Sequence, residues 1–222
     1  MATETVVKTR LDQEPLPRRM QHLPIDPDRG YVVPWFVEWI DGKPEFRAMD
    51  GRKYWRALRE RLCWVCGTKL ESRFAFVAGP MCGINRTSAE PPSHLECARW
   101  SARNCPFLSK PEMVRRQDDL CDNQKFRDAA PGIAITRNPG VTMIWITREY
   151  ELWDDGNGRA LITMGRPHEV EWYCRGRAAT RAEVEQSIED GIGSLEMVAR
   201  SQEGAMEDLI KKRQQFQKLL PK

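Results

Sequence analysis

Polar and hydrophobic residues alternate in two parts of the chain, and this period of two predicts β-strands. The sequence YVVPWFVEWIDGKPEFRAMD at 31–50 has two β-rich runs around DGKP, which is typical of a β-hairpin. The sequence at 132–165 predicts a strand over 132–136, an NPG turn, a long strand, a DDGNG turn and a further strand. EVEWYC at 169–174 predicts one more. The second half is therefore expected to form an antiparallel β-meander of three or four strands.

Apolar residues at helical spacing predict a helix from about 51 to 62, with Asp50 as its N-cap. Tyr54, Trp55 and Leu58 are expected on the face toward the core. Arginines recur at i, i+4 and i+7 on another face. These residues are Arg52, Arg56 and Arg59. The helix is thus expected to carry a basic stripe.

The end of the chain is predicted to be helical. TRAE at 180–183 is a capping box, in which a threonine and a glutamate satisfy each other's backbone N–H groups at a helix start. The helix that it begins is expected to end at DG, 190–191, and a longer amphipathic helix is expected from about 194 to 220. That second helix is expected to pack on the sheet or to pair with the preceding helix; the alternative is that it forms a homodimer with a second copy.

Length and composition indicate a folded protein of one domain or two small ones. The chain has 222 residues, of which 41% are hydrophobic, and a formal net charge of +3. So small an excess of positive charge does not by itself indicate nucleic-acid binding. We expect an α+β fold in three parts: an extended, polar, proline-rich arm at 1–30, a hairpin, basic helix and zinc module at 31–110, and the meander with two helices at 111–222. The last two are expected either as separate units or as one continuous fold.

The chain is expected to be cytoplasmic and not to enter a membrane. No stretch approaches the roughly 18 consecutive apolar residues of a membrane-spanning helix, and the N-terminal segment has no apolar signal-peptide core. In a reducing compartment the seven cysteines are expected to bind metal or remain thiols rather than form a disulfide framework.

Two short motifs together predict a metal site. CWVCG at 63–67 places two cysteines in a tight turn, with a glycine that eases the turn. SHLEC at 93–97 places a histidine and a cysteine in the first turn of a predicted helix, with Ser93 as its N-cap. Residues at i and i+3 share a helix face, so both can reach one ion. Thiolates and imidazoles are the ligands of structural zinc. The predicted zinc ligands are Cys63, Cys66, His94 and Cys97.

The tight turn at 63–67, here called the knuckle, is followed by a predicted β-hairpin strand and then by ligands at a helix start. This order resembles the treble-clef zinc finger, over about 62–105 only. That resemblance implies a closed structural zinc site. Two further cysteines leave alternatives open, because Cys82 can replace His94 and Cys105 can replace Cys97. The remainder of the chain is similar to uncharacterised proteins of GC-rich bacteria and their phages, which implies no activity.

Enzymatic functions are less favoured. HNH-type nucleases have a treble-clef core, but they need further histidines near the clamp as general base and metal ligand. Only His22 and His168 remain, and neither lies in an HNH pattern. A thioredoxin-like role for CWVC is disfavoured because a helix is predicted before it and a glycine turn after it.

The sequence therefore favours a zinc-stabilised binding or adaptor protein. The arginine stripe at 52–59 and two arginines of the helix after His94 form a candidate nucleic-acid surface. Those two residues are Arg99 and Arg103. The alternative is a protein-interaction or regulatory role without nucleic-acid binding, through the tryptophan-rich hairpin or the C-terminal helix.

Overall fold

The computed structural model describes residues 14–112, 138–154 and 160–222. The strands are β1 (Val37–Ile40), β2 (Lys43–Met49), β3 (Phe74–Ala78), β4 (Thr87–Ser88), β5 (Thr142–Thr147), β6 (Tyr150–Asp154), β7 (Ala160–Met164), β8 (Glu169–Cys174) and β9 (Arg177–Ala178). The α-helices are α1 (Gly51–Glu60), α2 (Pro80–Asn85), α3 (Leu95–Asn104), α4 (Pro106–Ser109), α5 (Arg181–Arg200) and α6 (Ala205–Phe216). The predicted mixed α+β class, with antiparallel sheets and C-terminal helices, is confirmed.

β1 and β2 form the predicted hairpin, and its turn has a clear local cause. Asp41 and Gly42 both have positive φ, 49° and 73°, which is the geometry of the tight turn that Asp-Gly sequences favour. Ile40 pairs with Lys43 directly across the turn. The hairpin is a separate two-stranded sheet.

A four-stranded antiparallel sheet joins the two halves of the chain, in the order β3-β5-β8-β9. Every residue of β5 is buried, because both faces of this strand are covered. Met143 and Trp145 face the larger core, whereas Ile144 and Ile146 pack with the alanines of α3. A central strand buried on both faces is continuously hydrophobic, as TMIWIT is.

The predicted long strand is divided between two sheets. After Thr147 the chain turns into β6, which pairs with β7 in a second sheet of order β4-β7-β6, while β5 pairs with β3 and β8. The strand order therefore differs from a simple meander. The turn is stabilised by the buried Thr147 hydroxyl, which lies 3.1 Å from Glu149 O and 3.0 Å from Arg166 O.

Several predicted features fall outside the described residues. These are the first 13 residues of the arm, the strand at 132–136 and most of the DDGNG turn.

The two C-terminal helices are present, but they are divided at a different place from the one predicted. The capping box of Thr180 and Glu183 begins α5. The helix continues through Gly191 to Arg200. Gly191 is a point of close approach rather than a helix end, since a Cβ there would lie 3.2 Å from Met81 of α2. The break comes instead at 201–204, where Gly204 has a φ of +72° that non-glycine residues rarely adopt.

α1 is tied to the second sheet by one buried hydrogen bond, which Tyr54 Oη donates to Ala160 O at 2.6 Å. Burial raises the pKa of this phenol to about 12, so it stays protonated as a donor. None of the helices in the described part of the chain is both long and apolar enough to cross a bilayer.

Candidate metal centre

The first half of the site is a tight knuckle at the end of α1. Leu62 bridges to Lys69, and between them Cys63 N donates to Thr68 O at 2.8 Å. Gly67 N donates to Cys63 O at 2.8 Å, and Gly67 has a φ of +74°. A Cβ at Gly67 would lie 2.5 Å from the Trp35 ring. Glycine is therefore required here both by the backbone conformation and by the packed tryptophan.

The second half of the site is the start of α3. The helix begins at Leu95 with His94 as its N-cap, one residue later than expected. Ser93 does not cap the helix, because its backbone N–H and C=O pair with Ala75 of β3 at 2.8 and 3.0 Å. This pairing attaches the start of α3 to the four-stranded sheet.

The knuckle and the helix start bring four side chains together. The ligand atoms of Cys63, Cys66, His94 and Cys97 all lie within 4.8 Å of one another, and all four residues are buried. Cys82 and Cys105 do not belong to this cluster. Burial raises the pKa of the Cys82 thiol to about 11, so Cys82 stays protonated. The cluster can hold one metal ion, and it consists of the four residues in the two sequence motifs.

Hydrogen bonds orient the sulfur and imidazole groups. Cys63 Sγ accepts from the backbone N–H of Cys66 and of His94, each at 3.4 Å. His94 Nδ1 lies 3.4 Å from Cys66 Sγ, while Nε2 lies 3.0 Å from Lys69 O. A carbonyl oxygen only accepts, so Nε2 carries the proton and Nδ1 offers its lone pair to the cluster. Metal-binding histidines are held in this way, with the second ring nitrogen donating to a backbone or carboxylate oxygen.

Proximity also changes how the four groups hold protons. Hydrogen bonds from the Cys63 and Cys97 thiols lower the pKa of Cys66. Burial disfavours the charged form of His94, but the neighbouring Cys63 and Cys66 sulfurs outweigh this effect and raise its pKa to about 10. Hydrogen bonds with Cys63 and Cys66 raise the pKa of Cys97. Without a metal the cluster therefore favours thiolate at Cys66 but protons on His94 and Cys97, and a metal ion would displace those protons to bind thiolate and neutral imidazole.

Residues outside the four ligands support the knuckle, and sequence pattern gave no indication of their position. His22, in the predicted polar arm, has its Nε2 3.0 Å from Cys66 O. Trp64, between the two cysteines, stacks on Phe36 with ring centroids 4.8 Å apart. A lone histidine between prolines carries no local signal for such a contact.

The arginines of α1 surround an exposed tryptophan. Trp55 is 47% exposed, although its spacing predicted a place in the core. It lies in a shallow surface depression with Arg52, Arg56 and Arg59. Arg52 pairs with Asp50 and Arg56 with Glu60, both within the same helix or its cap.

The arginines of α3 lie in different surroundings. Arg99 pairs with Glu171 of β8, and Arg103 pairs with Glu14. Neither lines the depression around Trp55. Neither of the two remaining histidines belongs to the metal cluster. His22 contacts the backbone of the knuckle, and His168, just before β8, donates its backbone N–H to Ile146 O.

Comparison with protein-family models, curated proteins and solved structures finds no match to this chain. The site geometry is consistent with a zinc-binding segment, but the treble-clef fold itself is not confirmed. The two strands between the knuckle and α3 do not form a local hairpin with each other. β3 pairs with β5 and β4 with β7, each more than 60 residues further along the chain.

Proposed function

We propose that the cluster binds one zinc ion in a structural role. The observation that carries this proposal is the convergence of three thiols and one imidazole whose Nε2 is engaged by Lys69 O. Four protein ligands of this type complete a tetrahedron around zinc and leave no position for water or substrate. The proposed zinc supplies folding free energy rather than chemistry.

Zinc in this position links three parts of the chain. Cys63 and Cys66 follow α1, whereas His94 and Cys97 belong to the start of α3. The knuckle also orders Trp35, whose backbone N–H donates to Val65 O at 2.7 Å. The two ligand pairs are separated by a long loop, and ordering that loop costs conformational entropy. The free energy of metal binding would offset this cost.

Metal analysis of the purified protein tests the proposal. We expect one zinc per chain in the native protein and less than a tenth of that in Cys66→Ser. The matched control is Cys82→Ser, which changes a cysteine outside the cluster and should keep its zinc. A folded native protein with no metal, or equal metal loss in both variants, contradicts the proposal.

We further propose that the surface around Trp55 contacts single-stranded nucleic acid. Exposed aromatic rings stack on bases, and arginines bind the adjoining phosphates. The cations of α1 also approach a second ring, since Lys53 Nζ and Arg56 Cζ lie 5.9 and 5.8 Å from the Trp35 centroid. Trp35 in turn packs on Gly67 of the knuckle, so the proposed zinc supports this surface.

Binding to an oligo(dT) strand at increasing salt tests this function. Replacing Arg52, Arg56 and Arg59 with alanine should weaken binding and reduce the salt slope by about 2, at about 0.7 per lost phosphate contact. The control replaces Lys211, Lys212 and Lys218, which removes the same charge from the C-terminal segment. Equal weakening in both triple variants indicates only a general charge effect and contradicts the assignment to α1.

The competing function is protein association through the C-terminal helices. Its specific support is apolar exposure on these helices, where Met197 is 74% exposed and Ile210 53% exposed. Light scattering distinguishes the two functions. A dimer that dissociates in Met197→Glu, together with no oligo(dT) binding at low salt, favours association over nucleic-acid contact.

A further inference from the structure

Three strands of the four-stranded sheet, β3, β5 and β8, have one terminus each at the same end of the sheet. A basic residue directly adjoins each of these three termini. Phe74 pairs with Thr147, so the next residues outward, Arg73 and Arg148, are opposite each other. His168 lies at the same end of the sheet, immediately before β8. Arg73, Arg148 and His168 line one cavity together with Ile146 and Glu169.

These basic groups differ from most arginines among the described residues. Across residues 14–112, 138–154 and 160–222, no hydrogen bond or ion pair engages the side chain of Arg73, Arg148 or His168. Like charges on directly opposed positions of a sheet destabilise it. A bound anion would relieve the repulsion between Arg73 and Arg148. Glu169 lines the same cavity, but among the described residues it forms no ion pair with either arginine.

The backbone that carries two of these groups is held rigidly. Thr147 is fully buried, and its hydroxyl lies within hydrogen-bond distance of Glu149 O, one residue after Arg148, and of Arg166 O, two residues before His168. Trp145 Nε1 donates to Gly165 O at 2.9 Å, and His168 N donates to Ile146 O at 2.8 Å. These contacts fix the backbone that carries Arg148 and His168 before any ligand arrives, so that binding has to order only their side chains.

The size and lining of the cavity select the class of ligand. Its volume is about 120 Å³, room for about four waters at roughly 30 Å³ each, and far below the ~300 Å³ of drug-sized sites. Guanidinium forks match the oxygens of phosphate. Glu169 is the one acidic residue of this lining, and its negative charge opposes the binding of an anion.

We propose that this cavity is a binding site for a small tetrahedral oxyanion, either free phosphate or the terminal phosphate of a nucleotide. It is distinct from the surface around Trp55 and from the metal cluster, and it is independent of the function proposed for either.

Calorimetric titration of the zinc-loaded protein with inorganic phosphate at low ionic strength tests the site. We expect saturable binding of one phosphate, weakened about tenfold in Arg73→Gln and in Arg148→Gln by the loss of one charge-assisted hydrogen bond. Glu169→Gln should tighten binding, because it removes the one negative charge in the cavity. A second titration with thymidine 5′-monophosphate, and with thymidine as its blank, distinguishes a nucleotide phosphate from free phosphate.

Two controls make the test decisive. Arg175→Gln removes an arginine at the opposite end of β8 and should leave phosphate affinity unchanged, and circular dichroism with thermal denaturation verifies that each variant is folded. Replacing Arg52, Arg56 and Arg59 should also leave it unchanged. Absence of saturable phosphate binding, an equal effect of Arg175→Gln, or weaker binding in Glu169→Gln overturns the proposal.

Discussion

Helices α1 and α3 have the same basic pattern in sequence but different surroundings in the fold. Each carries arginines at i and i+4, and each adjoins the metal cluster. The arginines of α3 reach carboxylates on distant segments, Glu171 and Glu14. In the described part of the chain, Arg52 and Arg56 of α1 form their ion pairs with Asp50 and Glu60, within one helix and its cap. Arginines paired across the fold hold elements together, whereas arginines paired locally remain at a surface that a ligand can reach.

The largest expected effect is common to both helices, because the proposed zinc joins them. Removing it with a strong chelator, or replacing Cys97 with serine, should cost at least about 5 kcal/mol, much of the stability of a typical domain. Thermal denaturation measures the loss, and hydrogen exchange should increase in α1 and α3 alike. Cys82→Ser serves as the control. A chelated, metal-free protein with an unchanged melting temperature contradicts this prediction.

The next effect separates the two helices. Arg99→Ala should cost about 1–2 kcal/mol, because it leaves the Glu171 carboxylate, only 15% exposed, without its charged partner. Arg56→Ala should cost clearly less than Arg99→Ala, since its pair with Glu60 is exposed and screened by solvent. Urea denaturation measures both. Equal costs would remove the distinction between the helices.

The cost of Arg99→Ala should depend on pH. Burial raises the pKa of Glu171, but hydrogen bonds from Arg99 and Tyr173 outweigh it and hold that pKa below its usual value. A lowered pKa in the folded state contributes stability above about pH 4.3, the ordinary value, and this contribution is lost as the pH falls through the folded pKa. The difference between wild type and Arg99→Ala should therefore shrink toward pH 3. A difference that stays constant would assign the effect to packing of the arginine side chain.

The smallest effect on stability is expected at Trp55. Trp55→Ala should change the free energy of unfolding by less than about 1 kcal/mol, because the ring is half exposed and its main contact is an edge-on one with Tyr54, with centroids 5.6 Å apart. The same variant should weaken oligo(dT) binding about tenfold, through the loss of one stacked base. Unchanged binding would remove Trp55 from the proposed surface, and a large loss of stability would place it in the core.

Short-range features of the fold were predictable from sequence. The Asp50 cap, the Asp41-Gly42 turn and the Thr180–Glu183 capping box each depend on hydrogen bonds or backbone geometry within four residues. The ligand set was predictable for the same reason, because each pair of ligands is local: one is a turn and the other a helix start. The remaining alternatives, Cys82 and Cys105, were resolved only by the folded geometry.

Long-range features were not predictable, because they depend on which surfaces meet. Gly191 has the sequence pattern of a helix end but lies inside α5, where its missing side chain admits Met81. Trp55 has the spacing of a core residue but lies beside the region that Tyr54 and Leu58 bury. The periodicity of a helix defines its faces, but it does not determine how wide a stripe the neighbouring sheet will cover.

The sequence by itself determined the local elements, the four candidate ligands and the α+β class, since these follow from contacts between residues close in the chain. Only the tertiary structure decided the pairing of β3 with β5, the division of the long strand between two sheets and the different environments of the two arginine helices. Those features depend on contacts between residues far apart in the chain, and the pattern of hydrophobic and polar positions carries no information about which distant partners will meet.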